Sequence, residues 1–308
     1  MQIGLERLVE PRLNALIDDS NQFNQTRKAS RQVAKQPDLN TSAGLQTARD
    51  ARKPTTGLTD REVEVCIVEM DGRKVPIRII RPKSNNPQAI FLNIPGGGFY
   101  LDESERSDTQ NAWLADNLGA IILSASYSLA PENPYPAAPD DCAAVAHWLI
   151  ENAESLFGTS RLIIGGTSAG ATLAMATLLR LRDEGLASQF IGTVLQFGAY
   201  DLSGQTPGGR LYSDEHFITM YTGTTPDKTA PGISPLFGNL KNLPPTLLLV
   251  GTADILMEDS FAIAARLSAA GNDVDLRIYP EAKHGFTASP TKMAAAANED
   301  IVKWVKER

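Results

Sequence analysis

Cysteine and histidine are scarce: the 308 residues hold two of one and three of the other. Two cysteines cannot build a disulfide framework. Cys66 falls in a predicted strand and Cys142 in a predicted helix, so both are expected as buried thiols of a reducing, cytoplasmic protein. Basic runs are absent, and the net charge is −7. An acidic chain repels phosphate backbones, which argues against nucleic acid as a partner. No apolar run approaches the ~20 residues that span a bilayer, so no membrane span is expected. Met1 to Glu10 lacks a basic stretch followed by an apolar core, so no secretory leader is expected either.

What the chain does have is an alternation of strand and helix signals. Glu62 to Glu69 alternates, Asp71-Gly72 supplies a tight turn, and Val75 to Ile80 runs extended, which predicts a β-hairpin. Strands follow at 89–94, 120–125, 162–164, 193–197, 246–250 and 274–279. Helices are expected near 107–118, 140–154, after Ser168, and at 256–270 and 293–306. An antiparallel start followed by βαβα alternation implies an α/β fold: a mostly parallel sheet of about eight strands with helices on both faces. Residues 1–55 stand apart from the 56–308 domain. Pro11 opens a short helix carrying Leu13, Leu16 and Ile17, and the polar stretch from Asn21 to Thr56 reads either as a disordered arm or as a lid over a pocket.

The chain is organised around Arg161-Leu-Ile-Ile-Gly-Gly-Thr-Ser-Ala-Gly-Ala171. A strand, the pentapeptide Gly166-Thr-Ser-Ala-Gly170 and a helix-forming run give the context of a nucleophile elbow. A serine in that strained turn leaves no room for side chains two residues to either side, hence the glycines. The glycine spacing also suits a phosphate loop, but Ala171 stands where the lysine belongs. A second glycine run, Gly96-Gly97-Gly98 after the 89–94 strand, can turn successive N–H groups into a cavity as an oxyanion hole.

Ser168 needs a base. His147 lies within an amphipathic helix and reads as a packing residue. His216 falls in an irregular stretch, at the surface or on a pocket rim. His284 follows the last strand, where open α/β sheets place their sites, and is the base candidate. Asp254, at the end of the 246–250 strand, is the acid candidate. Glu258 and Asp259 fall on the next helix, where a solvated N-terminal face accounts for them. The order serine, aspartate, histidine is that of α/β-hydrolases.

With these residues in place the chain resembles the hormone-sensitive-lipase-like family of α/β-hydrolase esterases, from about Asp60 to the C-terminus. The resemblance rests on Gly96–Gly98, on Tyr127-Ser-Leu-Ala-Pro-Glu-Asn-Pro-Tyr-Pro-Ala-Ala-Pro-Asp-Asp141, on Gly166–Gly170, on Gly251–Asp254 and on His284-Gly-Phe286. It implies carboxylic ester hydrolysis with short to medium acyl chains, no metal or cofactor, an N-terminal helical cap and frequent homodimers. Carried over, Ser168 is the nucleophile, Asp254 and His284 complete the triad, and the N–H groups of Gly97, Gly98 and Ala169 form the oxyanion hole. Phe99, Tyr100, Tyr212, His216 and Phe217 are candidates for the pocket lining, with residues 203–232 adding to the cap. Three departures stand out: Pro95 in place of a histidine, Ser128 in place of an arginine, and Thr167 in place of an aspartate. The alternatives are a ligand-binding protein on a retired hydrolase scaffold, or an acyltransferase or lactonase with the same triad.

Overall fold

The computed structural model describes residues 8–33, 37–52, 61–84, 86–101 and 104–308. The boundary expected between residues 55 and 56 lies outside them, as do residues 1–7. Eight strands form one sheet: β1 (Glu64–Met70), β2 (Arg73–Ile80), β3 (Ala89–Ile94), β4 (Ala120–Ala125), β5 (Leu162–Thr167), β6 (Phe190–Gln196), β7 (Thr246–Gly251) and β8 (Val274–Tyr279). Their order is β1-β2-β4-β3-β5-β6-β7-β8. The first two pairings are antiparallel, and those from β4 onward are parallel.

Burial explains the strand sequences. β3 and β4 are covered on both faces, and every residue of each is buried; hence their apolar runs, interrupted only by Asn93 and Ser124. β1 is the sheet edge. Its pattern is exposed except at Val68 and the half-buried Met70, so Cys66 is exposed rather than buried as expected. A strand with one neighbour and one covering face leaves its other side chains in solvent. Cys142 is buried, as the helical pattern predicts, and neither thiol is paired.

Nine α-helices are assigned among the described residues: α1 (Ile17–Val33), α2 (Ser42–Asp50), α3 (Asp108–Leu118), α4 (Ala137–Phe157), α5 (Ala169–Asp183), α6 (Pro207–Arg210), α7 (His216–Thr222), α8 (Met257–Ala269) and α9 (Lys292–Lys306). One face of the sheet is covered by α4, α5 and α8 through Val145, Leu149, Leu173 and Ile263. The other is covered by α3 and α9 through Ala115, Leu118, Ile301 and Trp304. Full burial of such side chains stabilises by about 1.5–3 kcal/mol each. Asn21 to Val33 is helical rather than an arm, and Pro11 opens a 3₁₀ turn, Pro11–Leu16, ahead of it. Leu13 is buried in the core of the α9 face. α1 reaches α9 through Asp19, whose carboxylate accepts from the Lys292 amide at 2.7 Å.

Candidate active site

The four sequence segments singled out for chemistry all end up at the carboxyl ends of neighbouring strands. Gly96–Gly98 follow β3, Ser168 follows β5, Asp254 follows β7 and His284 follows β8. Parallel strands present these ends on one rim of the sheet, so residues far apart in sequence meet there.

Ser168 sits between β5 and α5 with φ 54° and ψ −122°. This is a costly conformation for a residue with a side chain. The flanking glycines make it possible. A Cβ on Gly170 would stand 2.0 Å from the Ile94 carbonyl oxygen, and one on Gly166 would stand 2.5 Å from the Gly170 backbone. The elbow is therefore pressed against the end of β3. The backbone amide of Ser168 donates to the Gln196 carbonyl at 2.9 Å, fixing the turn to β6.

The Ser168 hydroxyl Oγ lies 2.8 Å from Nε2 of His284. On the far side of the ring, Nδ1 lies 3.1 and 3.0 Å from the two carboxylate oxygens of Asp254. The Asp254 side chain is fully buried, while that of His284 is 39% exposed. Asp254 also accepts from the Leu256 amide at 2.9 Å. A carboxylate at Nδ1 keeps the proton there and leaves Nε2 free to accept from the serine. Phe197 meets the imidazole edge-on at 5.2 Å between centroids.

The glycine run closes over the serine. Gly97, Gly98 and Phe99 all have positive φ, at 107°, 59° and 66°. Tyr127 holds this loop from beneath: its hydroxyl contacts the carbonyl oxygens of Pro95 at 3.2 Å and Gly96 at 2.9 Å. Proline has no N–H to offer, so carbonyl contacts of this kind fix the loop where Pro95 stands. The tyrosine is visible in the sequence as the first residue of the Tyr127–Asp141 motif, but nothing local betrays its partners. The Ala169 amide opens α5, where a helix's free N–H groups favour negative charge.

A cleft of about 1750 Å³ surrounds the serine. Phe99, Tyr100, Tyr212 and Phe217 line it; His216 does not, although the sequence suggested it. His216 begins α7 half-buried. Phe99 stacks on Tyr221 at 3.9 Å and Tyr212 on Phe217 at 6.2 Å.

Asp259 corrects the sequence reading. It is 1% exposed, not solvated. Its Oδ2 accepts from the Tyr200 amide, from the Asp201 amide at 3.1 Å and from the Tyr212 hydroxyl at 2.7 Å. Burial pushes its carboxyl above the usual range, against the pull of those hydrogen bonds. His147 also differs from a plain packing residue. Its ring nitrogens lie 2.5 Å from Asp71 and 2.6 Å from Glu184.

The profile of the α/β hydrolase fold matches residues 91–288, which contain Gly96–Gly98, Ser168, Asp254 and His284. The chain belongs to the α/β-hydrolase family. Within it the likeness is to the hormone-sensitive-lipase-like branch. An ethyl acetate hydrolase of Pseudomonas putida is 30% identical over 72% of this chain and 74% of its own length. The carboxylesterase NlhH of Mycobacterium tuberculosis is 30% identical over 81% and 83%. Among solved structures, a hyperthermophilic esterase from Pyrobaculum calidifontis superposes with a TM-score of 0.79 at 27% identity, covering 85% of this chain and 93% of that one. No group of three or more histidine, cysteine or carboxylate residues suited to a metal ion occurs among the described residues.

Proposed function

We propose that the protein is a serine carboxylesterase that hydrolyses short- to medium-chain esters through an acyl-enzyme on Ser168. The observation that carries this reading is the hydrogen-bonded line from the Ser168 hydroxyl through His284 to buried Asp254, at the floor of a cleft roofed by glycines. The relatives named for ester hydrolysis support it.

In this mechanism His284 Nε2 takes the proton as Ser168 Oγ attacks the ester carbonyl. Asp254 stabilises the imidazolium. The oxyanion receives hydrogen bonds from the N–H groups of Gly97, Gly98 and Ala169. In related chemistry the loss of one such donor costs about 3 kcal/mol. The ester C–O bond breaks and the alcohol leaves with the proton held by His284. Water then enters, gives its proton to His284 and releases the acid. None of these steps calls on a cofactor.

The aromatic wall of Phe99, Tyr212 and Phe217 is assigned to the acyl chain. Residues 1–55, together with 203–232, are proposed as the cap. A cytoplasmic location is proposed from the two unpaired thiols. No helix among the described residues is long and apolar enough to cross a membrane. A homodimer is also proposed, to be checked by sedimentation.

The test is turnover of p-nitrophenyl acetate, butyrate, octanoate and laurate by the wild type and by Ser168→Ala. The expected result is rapid hydrolysis of the short esters, with kcat lowered roughly 10⁶-fold in the variant. A folded variant that kept a tenth of the activity would remove Ser168 from the reaction. A folded wild type inert toward all four esters would favour a ligand-binding protein.

A further inference from the structure

The cleft is far larger than a short acyl chain requires, and its two ends differ in chemistry. From the serine toward Tyr212 and Phe217 the wall is aromatic. Beyond His284 it is built by the loop after β8 and by α1, α3 and α9, with Asn24, Gln110, Ser289, Thr291 and Asn298 among its lining residues. These elements are joined to one another. Gln110 Nε2 of α3 donates to Asn298 Oδ1 of α9 at 3.1 Å, and Asn298 Nδ2 donates to the Thr287 carbonyl at 3.0 Å. Asn24 of α1 donates to the Glu281 carbonyl at 3.3 Å. A carboxamide has two N–H groups and a carbonyl oxygen with two lone pairs, so Gln110 and Asn298 keep capacity for a further partner.

His284 must hand its proton to the departing alcohol, which therefore lies on the histidine side of the serine. The polar wall is the alcohol's wall. Its charges are of both signs, Asp19 and Glu299 with Arg106, Lys283 and Lys292, so it is not a wall of a single sign. It does offer one large flat surface. Trp113 lines the cleft and is 37% exposed. It lies three residues beyond Gln110, on the same side of α3. An aromatic face beside carboxamides and hydroxyls matches a pyranose ring, which has an apolar C–H face and a rim of hydroxyls.

We propose that the alcohol half of the substrate is a neutral sugar, so that the enzyme removes short acyl groups from sugar hydroxyls. Gln110 and Asn298 hydrogen-bond the ring hydroxyls, and Trp113 stacks on the ring. The proposal rests on the esterase reading above.

The experiment compares 6-O-acetylglucose with cyclohexylmethyl acetate, the same ring shape without hydroxyls, with p-nitrophenyl acetate as the activity control. In the wild type kcat/KM for the sugar ester should exceed that for the carbocycle by at least about tenfold, because a site built to bond hydroxyls rejects an analogue that lacks them. Gln110→Leu and Asn298→Leu should each lower that ratio roughly fivefold, the worth of one hydrogen bond. Trp113→Ala should raise KM for both cyclic esters relative to ethyl acetate. A wild-type ratio at or below one overturns the proposal, as does a ratio unmoved by both leucine variants. Faster turnover of 1-acetylglycerol than of acetylglucose overturns the ring-sized occupant. Loss of p-nitrophenyl acetate turnover as well would instead sink the esterase reading itself.

Discussion

Two aspartates five positions apart, Asp254 and Asp259, are both buried and do different work. Asp254 faces His284 with both carboxylate oxygens. Asp254→Asn would place an amide where the imidazole N–H must donate, favouring the wrong tautomer. In triad enzymes that change lowers kcat roughly 10⁴-fold, and steady-state kinetics on p-nitrophenyl butyrate should find a loss of that order with the fold intact. Asp259 touches no triad atom. Its carboxylate ends three hydrogen bonds, two from backbone amides and one from Tyr212. Asp259→Ala would leave the buried Tyr200 amide without an acceptor, at about 1–3 kcal/mol, while the Asp201 amide and the Tyr212 hydroxyl would keep only their contacts with each other and with the Asp201 carbonyl. Urea unfolding should show a loss of at least about 1 kcal/mol. Because Tyr212 lines the cleft, KM should rise more than kcat falls. An Asp259→Ala protein as stable as the wild type would return the residue to the solvated role its sequence position suggests.

At the scale of elements, His147 joins three. It projects from α4 to Asp71 in the β1–β2 turn and to Glu184 just beyond α5. With a carboxylate at each nitrogen, both nitrogens act as donors only in the imidazolium. Burial works against the charge, but the hydrogen bonds to Asp71 and Glu184 outweigh it and raise the pKa above its ordinary 6.5. The sign follows from linkage. A raised value in the folded state means that the bridge stabilises fully below pH 6.5 and is lost as pH rises through the folded pKa. Thermal midpoints of wild type and His147→Gln, compared from about pH 5 to pH 9, should differ most at the acid end and converge at the alkaline end. A constant gap would mean that His147 acts by packing alone.

The same scale separates what could be read in the sequence from what could not. β3 and β4 begin and end where their largely apolar runs do, because a strand walled in by neighbours must be mostly apolar; β8, at the far edge of the sheet, carries Asp275 and Arg277 and is half-buried over its first four residues. Ser168, Asp254 and His284 were legible because each follows a strand at the rim. Cys66 was misread because edge position is a property of sheet order, not of local pattern. Asp259 was misread because its partners are 47 to 59 residues away in sequence. α1 has a polar composition, and a helix held by a few long-range contacts leaves little apolar periodicity to read.

For the molecule as a whole, the open question is whether the N-terminal segment belongs to the catalytic unit or merely rests on it. The contacts favour the first. Leu13 is 2% exposed in the core against α9. Arg12 reaches Asp300 of α9 at 2.6 Å, and the same carboxylate accepts from the Tyr279 hydroxyl at 2.8 Å. Further along, Arg49 of α2 donates to the carbonyls of Tyr100 and Ala130 at 2.9 Å and pairs with Glu132 at 2.8 Å. Thus Leu13 and Arg12 are locked into the sheet's α9 face, and Arg49 to the loop that follows Gly96–Gly98. Leu13→Ala removes the apolar plug without touching the cleft. Such a truncation costs about 2–5 kcal/mol in a core that cannot collapse around it. If the segment is integral, chemical unfolding of Leu13→Ala should remain a single transition with its midpoint lowered by that amount. If it only rests on the domain, its release should be a separate early event, with the main transition unmoved. Fluorescence of Trp304, which packs in the same cluster, set beside loss of esterase activity would distinguish the two: coincident curves for an integral cap, activity lost first for a detachable one.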